Sequence, residues 1–471
     1  MPVAGAGVTA TRAPGPHSWR PGGDFFAFRR DPLGFQTRMA RTYGDVVRLS
    51  FSGRRVHLVS HPDLIEEVLV GSARRYVKGI ALDRARRLLG NGLLTAAGAD
   101  HLRQRRMIQP LFHKQHVQGF ATAMVRHASR WADTVTSGAR LDITAQMGAL
   151  TLAIVGETLF STNVQADTDE VREALTDAVS GFGIMFLPMV ELFEHLPIPI
   201  FVRIRKARER LDRIVRRVIA ERRAQMDDSA SPGDHASSPE ASAGKPTTDL
   251  VSMLLAARDP ENPNAAGMSD EQIRDEAMTI FLAGHETTAN AMAWTWHLLG
   301  GAPEVEARLH EEVRCVLGGR APTAEDVPRL EWTRAIVAES MRLWPPAWTL
   351  GRRALESHTL GGFEIPKDSI VVMSQHVVHR DPRWWPSPDT FAPERWITPA
   401  PERPKYAYFP FGGGSRICIG ESFAWTEAIL LVATIAQRWR FRPEPGPGPI
   451  PEARITLRPK NLFMRAEGLR F

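Results

Sequence analysis

The sequence predicts a mainly α-helical fold with a small β region. Three observations carry this. Apolar residues recur at helical spacing over most of the chain between Pro62 and Gly300. One of these patterns, Ser269–Gly300, is much longer than the rest. Alternating apolar and polar residues are confined to short runs at Asp45–Ser60, Leu350–Ser374 and Ile455–Phe463.

Composition sets the class. The chain has 471 residues, 43% of them apolar and 24% charged, which is enough apolar surface for a large buried core. Two cysteines, Cys315 and Cys418, exclude a disulfide scaffold and a zinc site built mainly on cysteine. The net charge of +6 is carried mostly by dispersed arginines, so no nucleic-acid partner is expected.

The elements follow in order from the N-terminus. Met1–Gly23, rich in Gly, Ala, Pro and Thr, reads as a flexible leader ahead of one domain over residues 24–471. It holds no apolar core of signal-peptide or anchor length. Asp45–Ser60 alternates around Ser52-Gly53 as a hairpin does. Helical spacing then marks Pro62–Val70, His101–Phe112, Val117–Ser137, Asp142–Phe160, Asp167–Phe182 and Phe201–Gln225. Asp227–Asp249 is rich in Ser, Pro, Ala and Gly and is expected to be a loop. Further helices are expected at Asp249–Arg258, Ser269–Gly300, Glu304–Leu317, Asp326–Trp344 and Gly420–Trp439, with Ser269 capping the long one. Two apolar stretches, Phe182–Val202 and Ala277–Gly300, are interrupted by charged residues or histidines. Neither is a run of ~18 apolar residues, so no transmembrane anchor is expected. A cytoplasmic, monomeric protein is the expectation.

The chemistry concentrates in Phe411-Gly412-Gly413-Gly414-Ser415-Arg416-Ile417-Cys418-Ile419-Gly420. A cysteine at the start of a helix meets exposed N–H groups and the positive end of the helix dipole, both of which favour a thiolate. Gly414 permits a tight turn. Gly420 lets a flat ligand lie against the backbone, and Arg416 can pair with a carboxylate on that ligand. Taken alone, Cys418 reads as a buried structural thiol; the full spacing F-x-x-G-x-R-x-C-x-G reverses that reading.

This segment resembles the haem-binding loop of the cytochrome P450 family, whose cysteine thiolate is the axial ligand of haem iron. The resemblance makes Cys418 that ligand and Phe411, Gly414, Arg416 and Gly420 its haem-side neighbours. Three further segments match in the family's order. Ala283-Gly284-His285-Glu286-Thr287-Thr288 resembles the oxygen-activation motif. There Gly284 and a back-bonding threonine loosen the helical ladder. Thr287 is implied to donate a hydrogen bond to O2 and Glu286 to relay protons. Ala283 and Thr287, four apart, share a face that is implied to look at the haem. Glu339-Ser340-Met341-Arg342 resembles the E-x-x-R pair, which Arg395 completes as a structural triad. His101 and Arg105 resemble a pair that binds haem propionates, and Arg352 a third propionate ligand with Arg353 its adjacent rival. Arg103 and Arg106 are expected on a solvated basic face or on a docking surface for an acidic electron carrier.

The resemblance implies a triangular prism of helices with a small β region, and haem b (iron protoporphyrin IX) between the long helix and the cysteine loop. It implies the reaction RH + O2 + 2e⁻ + 2H⁺ → ROH + H2O. The residues after Cys418 leave no room for a fused reductase, so a separate ferredoxin or flavodoxin with an NAD(P)H-dependent reductase is implied. By family position, the substrate pocket draws on Tyr76–Leu94, Phe182–Val202, Ile280, Phe281, Ala283, Ala347, Trp348, Leu350 and Ile455, with Trp348 narrowing it. These are mostly apolar, so a hydrophobic substrate is expected: a terpenoid, fatty acyl or polyketide-like molecule of secondary metabolism. Two alternatives are a peroxygenase of the same fold and a non-enzymatic haem-binding or gas-sensing protein. A peroxide-driven peroxygenase replaces the acid–threonine pair by arginine–proline, and a haem carrier or gas sensor needs no proton relay; Glu286-Thr287 argues against both. His379-Arg380-Asp381 and Ala392-Pro393-Glu394 mimic protein-kinase motifs, but no nucleotide loop accompanies them.

Overall fold

The computed structural model describes residues 11–17, 23–51, 53–160, 198–230, 249–262, 264, 266–397 and 402–469. The expected helix Asp167–Phe182 and most of the apolar stretch Phe182–Val202 lie outside them. The described chain forms two compact units.

The first unit holds Met1–Ile80 and Ala338–Cys418. Its centre is a five-stranded sheet in the order Val46–Phe51, Arg54–Val59, Ile370–Met373, Leu350–Ala354, Tyr76–Lys78. The expected hairpin pairs Val46 with Val59, and Gly53 turns it at φ +78°. The strand Arg54–Val59 then pairs parallel with Ile370–Met373. Val46, Val59, Ile65, Val371, Met373 and Phe409 close the core beneath it. The leader is not wholly flexible. The Thr11 N–H donates to the Gly362 carbonyl at 3.2 Å, the Arg48 N–H donates to Pro14 at 2.7 Å, and Ala13 is buried. Ala13 joins the core beneath the sheet, which low sequence complexity conceals.

The second unit holds Ala81–Val337 and Ile419–Phe471. The long helix runs Asp270–Gly300. Ser269 caps it in a reciprocal box with Gln272, each side chain taking the other's backbone N–H. It packs most extensively on the helix Ile143–Phe160. At its end a Cβ on Gly300 would stand 2.7 Å from the Phe441 carbonyl, so only glycine fits. The helix Glu421–Ala436 is buried without a break from Glu427 onward and packs on Lys114–Thr134.

Three expected boundaries move. Asp326–Trp344 divides into a 3₁₀ turn, Val327–Arg329, and a helix, Glu331–Leu343, because Pro328 cannot sit inside a continuous helix. The helix Pro199–Ala230 runs into the expected loop. The C-terminal hairpin is Ile450–Ala453 with Leu457–Lys460, which leaves Ile455 in its turn. Pro451 and Pro459 face each other across that ribbon. They read as breakers in sequence, yet an edge position tolerates a missing N–H. Among the described residues no helix is long and apolar enough to cross a membrane.

Candidate active site

In the first unit the cysteine loop is shaped by its glycines. Gly412 and Gly414 have φ of +75° and +66°. A Cβ on Gly414 would lie 2.0 Å from the Leu69 carbonyl oxygen, and one on Gly413 2.4 Å from the Tyr406 ring. The Ile417 N–H donates to Gly414 O at 3.1 Å and the Cys418 N–H to Phe411 O at 2.9 Å. The loop therefore folds back on itself and leaves Cys418 exposed, two residues before the Gly420 N-cap of Glu421–Ala436. That is the setting in which a thiol ionises readily.

Arg352 and Arg353 lie on opposite faces of their strand. Arg353 donates to Asp368 at 2.9 Å. Arg352 is half-buried, and burial followed by the positive charge of Arg416 pushes its pKa down to about 10. Two guanidiniums held in each other's field are a site for an anion. The geometry thus separates Arg352 from its rival.

Glu339, Arg342 and Arg395 come together. The Arg342 Nε and Nη2 donate to the two Glu339 carboxylate oxygens at 2.8 Å each, and Arg395 Nε lies 3.3 Å from the same carboxylate. Arg342 spends its other donors on the carbonyls of His379, Pro388 and Thr390. Glu339 also accepts from the Ala392 N–H at 3.0 Å and from Trp396 Nε1 at 2.9 Å. The last two partners carry no sequence signal. Trp348 is buried and stacks on Phe28.

In the second unit the oxygen-activation segment interrupts an otherwise buried helix. Ala283 is exposed and Thr287 half-buried, whereas Ile273–Thr279 and Thr288–Trp296 are buried. The Thr287 hydroxyl donates to the Ala283 carbonyl at 2.6 Å, and Thr151 donates to the His285 carbonyl at 3.2 Å. His285 Nε2 donates to Gly148 O at 3.1 Å; burial pushes its pKa down to about 4, so it is a neutral donor. A Cβ on Gly284 would meet Val155 at an ordinary 3.5 Å, so the protein itself does not demand glycine there. Glu286 Oε1 accepts from the Thr456 hydroxyl at 2.7 Å. Burial raises the Glu286 pKa; the Thr456 bond, then Arg458 and Arg454, oppose that rise.

A second buried acid beside this helix was not legible in the sequence. Glu427 is fully buried on Glu421–Ala436, and burial pushes its pKa up to about 8 against the pull of the Thr288 hydroxyl. Neither of its oxygens closes a regular hydrogen bond among the described residues. The folded chain keeps a proton here that the unfolded chain releases above pH 4.5. Stability from this group is therefore complete below that pH and is lost as pH rises toward about 8. Glu427→Gln should flatten that slope, gaining about 2–4 kcal/mol on the wild type between about pH 5 and about pH 8. Thermal unfolding at the two pH values measures it; parallel wild-type and variant curves would contradict it.

His101 is buried and Arg105 half-buried, one turn apart on the helix Gly98–Ile108. Arg106, partly exposed, pairs with Asp259 at 3.0 Å and Glu261 at 3.1 Å. Arg103 donates to the Ala266 carbonyl. Phe281 is buried in the unit's core, while Ile280 is half-buried and Ile455 exposed. Ala347 and Leu350, in the first unit, are half-buried. The segment before Thr95 is clamped from the long helix. The Asn91 N–H donates to Asp275 at 2.6 Å and the Leu93 N–H to Glu276 at 2.8 Å. Arg274 holds Asp275 at 2.6 Å, and a Cβ on Gly90 would collide with the Asp275 carboxylate.

The family model described as Cytochrome P450 matches residues 14–465. The chain belongs to the cytochrome P450 family. It is 40% identical to cyclooctatin synthase of Streptomyces melanosporofaciens over 92% of this chain and 89% of that one. It is 39% identical to cyclooctat-9-en-7-ol 5-monooxygenase of the same organism, over 89% and 87%. The crystal structure of the cytochrome P450DA heme domain superposes with a TM-score of 0.85 at 28% identity, covering 98% of both chains. The chain is thus a P450 monooxygenase, a haem enzyme that acts on a small molecule with O2. Its residues suit that cofactor: the Arg352–Arg416 cation pair matches carboxylate side arms, and the exposed Cys418 offers a thiolate.

Proposed function

We propose that this P450 hydroxylates an apolar terpenoid, using haem b and electrons from a separate ferredoxin or flavodoxin served by an NAD(P)H-dependent reductase. The observation that carries the substrate class is the likeness to relatives named cyclooctatin synthase and cyclooctat-9-en-7-ol 5-monooxygenase, the second named for a ring alkenol with a single hydroxyl. Half-buried Ile280, Ala347 and Leu350 and exposed Ala283 and Ile455 supply apolar surface of matching character. Residues 24–471 act as one monooxygenase domain, in a monomeric cytoplasmic enzyme.

In this reading Cys418 would ligate the haem iron, in a loop formed with Phe411, Gly414 and Gly420. Arg352, Arg416, His101 and Arg105 would pair with the propionates, and Ala283 and Gly284 would leave room for the ring. When bound, the haem supplies the redox chemistry that splits O2. The rest falls to side chains. Thr287 gives its one hydroxyl proton to Ala283 O, and not to a ligand as the resemblance implies, which leaves its oxygen lone pairs to accept a hydrogen bond from a protonated ligand or water. Glu286 moves protons at its carboxylate. Apolar side chains keep bulk water from the substrate.

Two outcomes test this. Cyclic terpene hydrocarbons and alcohols should shift the Soret band of the ferric enzyme at micromolar concentration. A response to small charged molecules alone would overturn the substrate class. Thr287→Ala should keep haem and consume NAD(P)H, while product per NAD(P)H falls by roughly tenfold or more and peroxide appears. Full coupling in Thr287→Ala would remove the role assigned to that hydroxyl.

A further inference from the structure

We propose that Thr456 is a positioning residue for Glu286: its hydroxyl holds the carboxylate in one orientation, with Asn290 fixing the direction of the hydroxyl. The inference rests on the reading of Glu286 as the proton-moving acid and adds a residue outside the helix that carries it.

Three residues on one face of the long helix, Glu286, Asn290 and Trp294, are spaced four apart. Each bonds the same C-terminal hairpin. The Thr456 hydroxyl donates to Glu286 Oε1 at 2.7 Å. Asn290 Nδ2 donates to the Thr456 oxygen at 3.0 Å. Trp294 Nε1 donates to the Leu457 carbonyl at 3.0 Å. The Arg454 N–H closes the turn on Thr456 O at 3.1 Å. A hydroxyl has one proton. Asn290 occupies a lone pair of Thr456, and that leaves the proton for Glu286. Thr456 is 5% exposed and Asn290 2%, so water does not compete for either.

The surrounding charges act with Thr456 against the rise that burial causes. Arg454 and Arg458 lie on the hairpin beside the carboxylate and share Glu452. On the helix Ile143–Phe160, Glu157 is taken by Arg126 and His127, and His285 is neutral and turned to Gly148. On Glu421–Ala436, Glu427 faces Thr288. Thr456 is thus the neutral donor that counters burial at Glu286. Removing a hydrogen bond to a carboxylate disfavours the charged form, so the pKa rises.

The test uses haem-loaded Thr456→Val, Thr456→Ser and Glu286→Gln. Infrared difference spectra across a pH titration show the C=O stretch of a protonated carboxyl, and the Glu286 band is the one missing in Glu286→Gln. Thr456→Val should raise its midpoint by about one pH unit. Thr456→Ser, which keeps the hydroxyl, should restore it. If Thr456→Val does not fold, Asn290→Leu, which frees the hydroxyl to rotate, should raise the midpoint by a smaller amount. An unmoved midpoint in the folded variant overturns the proposal. Peroxide released per NAD(P)H oxidised, with a surrogate ferredoxin and reductase, tests the underlying reading separately. A ratio unchanged in Glu286→Gln sinks the proton-moving role of Glu286, whereas the infrared midpoint still decides whether Thr456 holds it.

Discussion

Cys418→Ser is expected to lose the red-shifted Soret band of the reduced carbon monoxide complex, or to lose haem altogether, and with either to lose turnover. A serine hydroxyl does not ionise near neutral pH, even beside a helix N-terminus, and its oxygen is a harder donor than sulfur. The loop should survive, because its shape depends on Gly412, Gly414 and the backbone bond from Cys418 N–H to Phe411 O, none of which needs sulfur. Cys315, exposed on the helix Pro303–Leu317, is the internal control: Cys315→Ser should leave the spectrum unchanged. A normal thiolate spectrum in Cys418→Ser would remove the basis of the site.

Glu339→Gln should be the most damaging change away from that loop. The carboxylate is completely buried, with Arg342 bound through both its oxygens and Arg395 beside it. Glutamine leaves the two guanidiniums without a counter-charge. Breaking a buried pair from one side costs about 3–5 kcal/mol, against a total stability of about 5–15 kcal/mol for a typical domain. Arg38–Asp31, an ion pair more than half exposed on the arginine side, should by contrast yield under about 1 kcal/mol. Chemical unfolding followed by haem absorbance measures both. A loss under about 1 kcal/mol for Glu339→Gln would mean that the triad does not hold this unit together.

How far the sequence alone reaches depends on what each residue interacts with. Ser269 and the long helix were readable, because capping and 3.6-residue periodicity are local. So was the hairpin at Gly53, where the turn needs a positive φ. Glu339 and Arg342 were legible as a pair at i, i+3, and Arg395 through family resemblance. Their remaining partners, the Ala392 N–H and Trp396, were not, since backbone donors leave no composition signal. Thr456 escaped for a similar reason. A lone threonine far along the chain becomes part of the site only when the hairpin folds against Asn290 and Trp294. Glu427 sits in an apolar helix pattern and reads as an exposed polar position until its burial is seen. Arg353 and Arg352 were indistinguishable in sequence and are separated by the strand's alternation and by Asp368. Trp348 and Phe281 were placed by family position, and their burial and packing partners were not readable from position alone.

The most direct test of the central claim is turnover under ¹⁸O2 of a cyclic terpene that shifts the Soret band, with NAD(P)H, a ferredoxin and its reductase supplied. The account predicts a hydroxylated product carrying one labelled oxygen atom, formed only when both redox proteins are present. Product oxygen derived from water, or equal turnover with peroxide and no reductase, would contradict it.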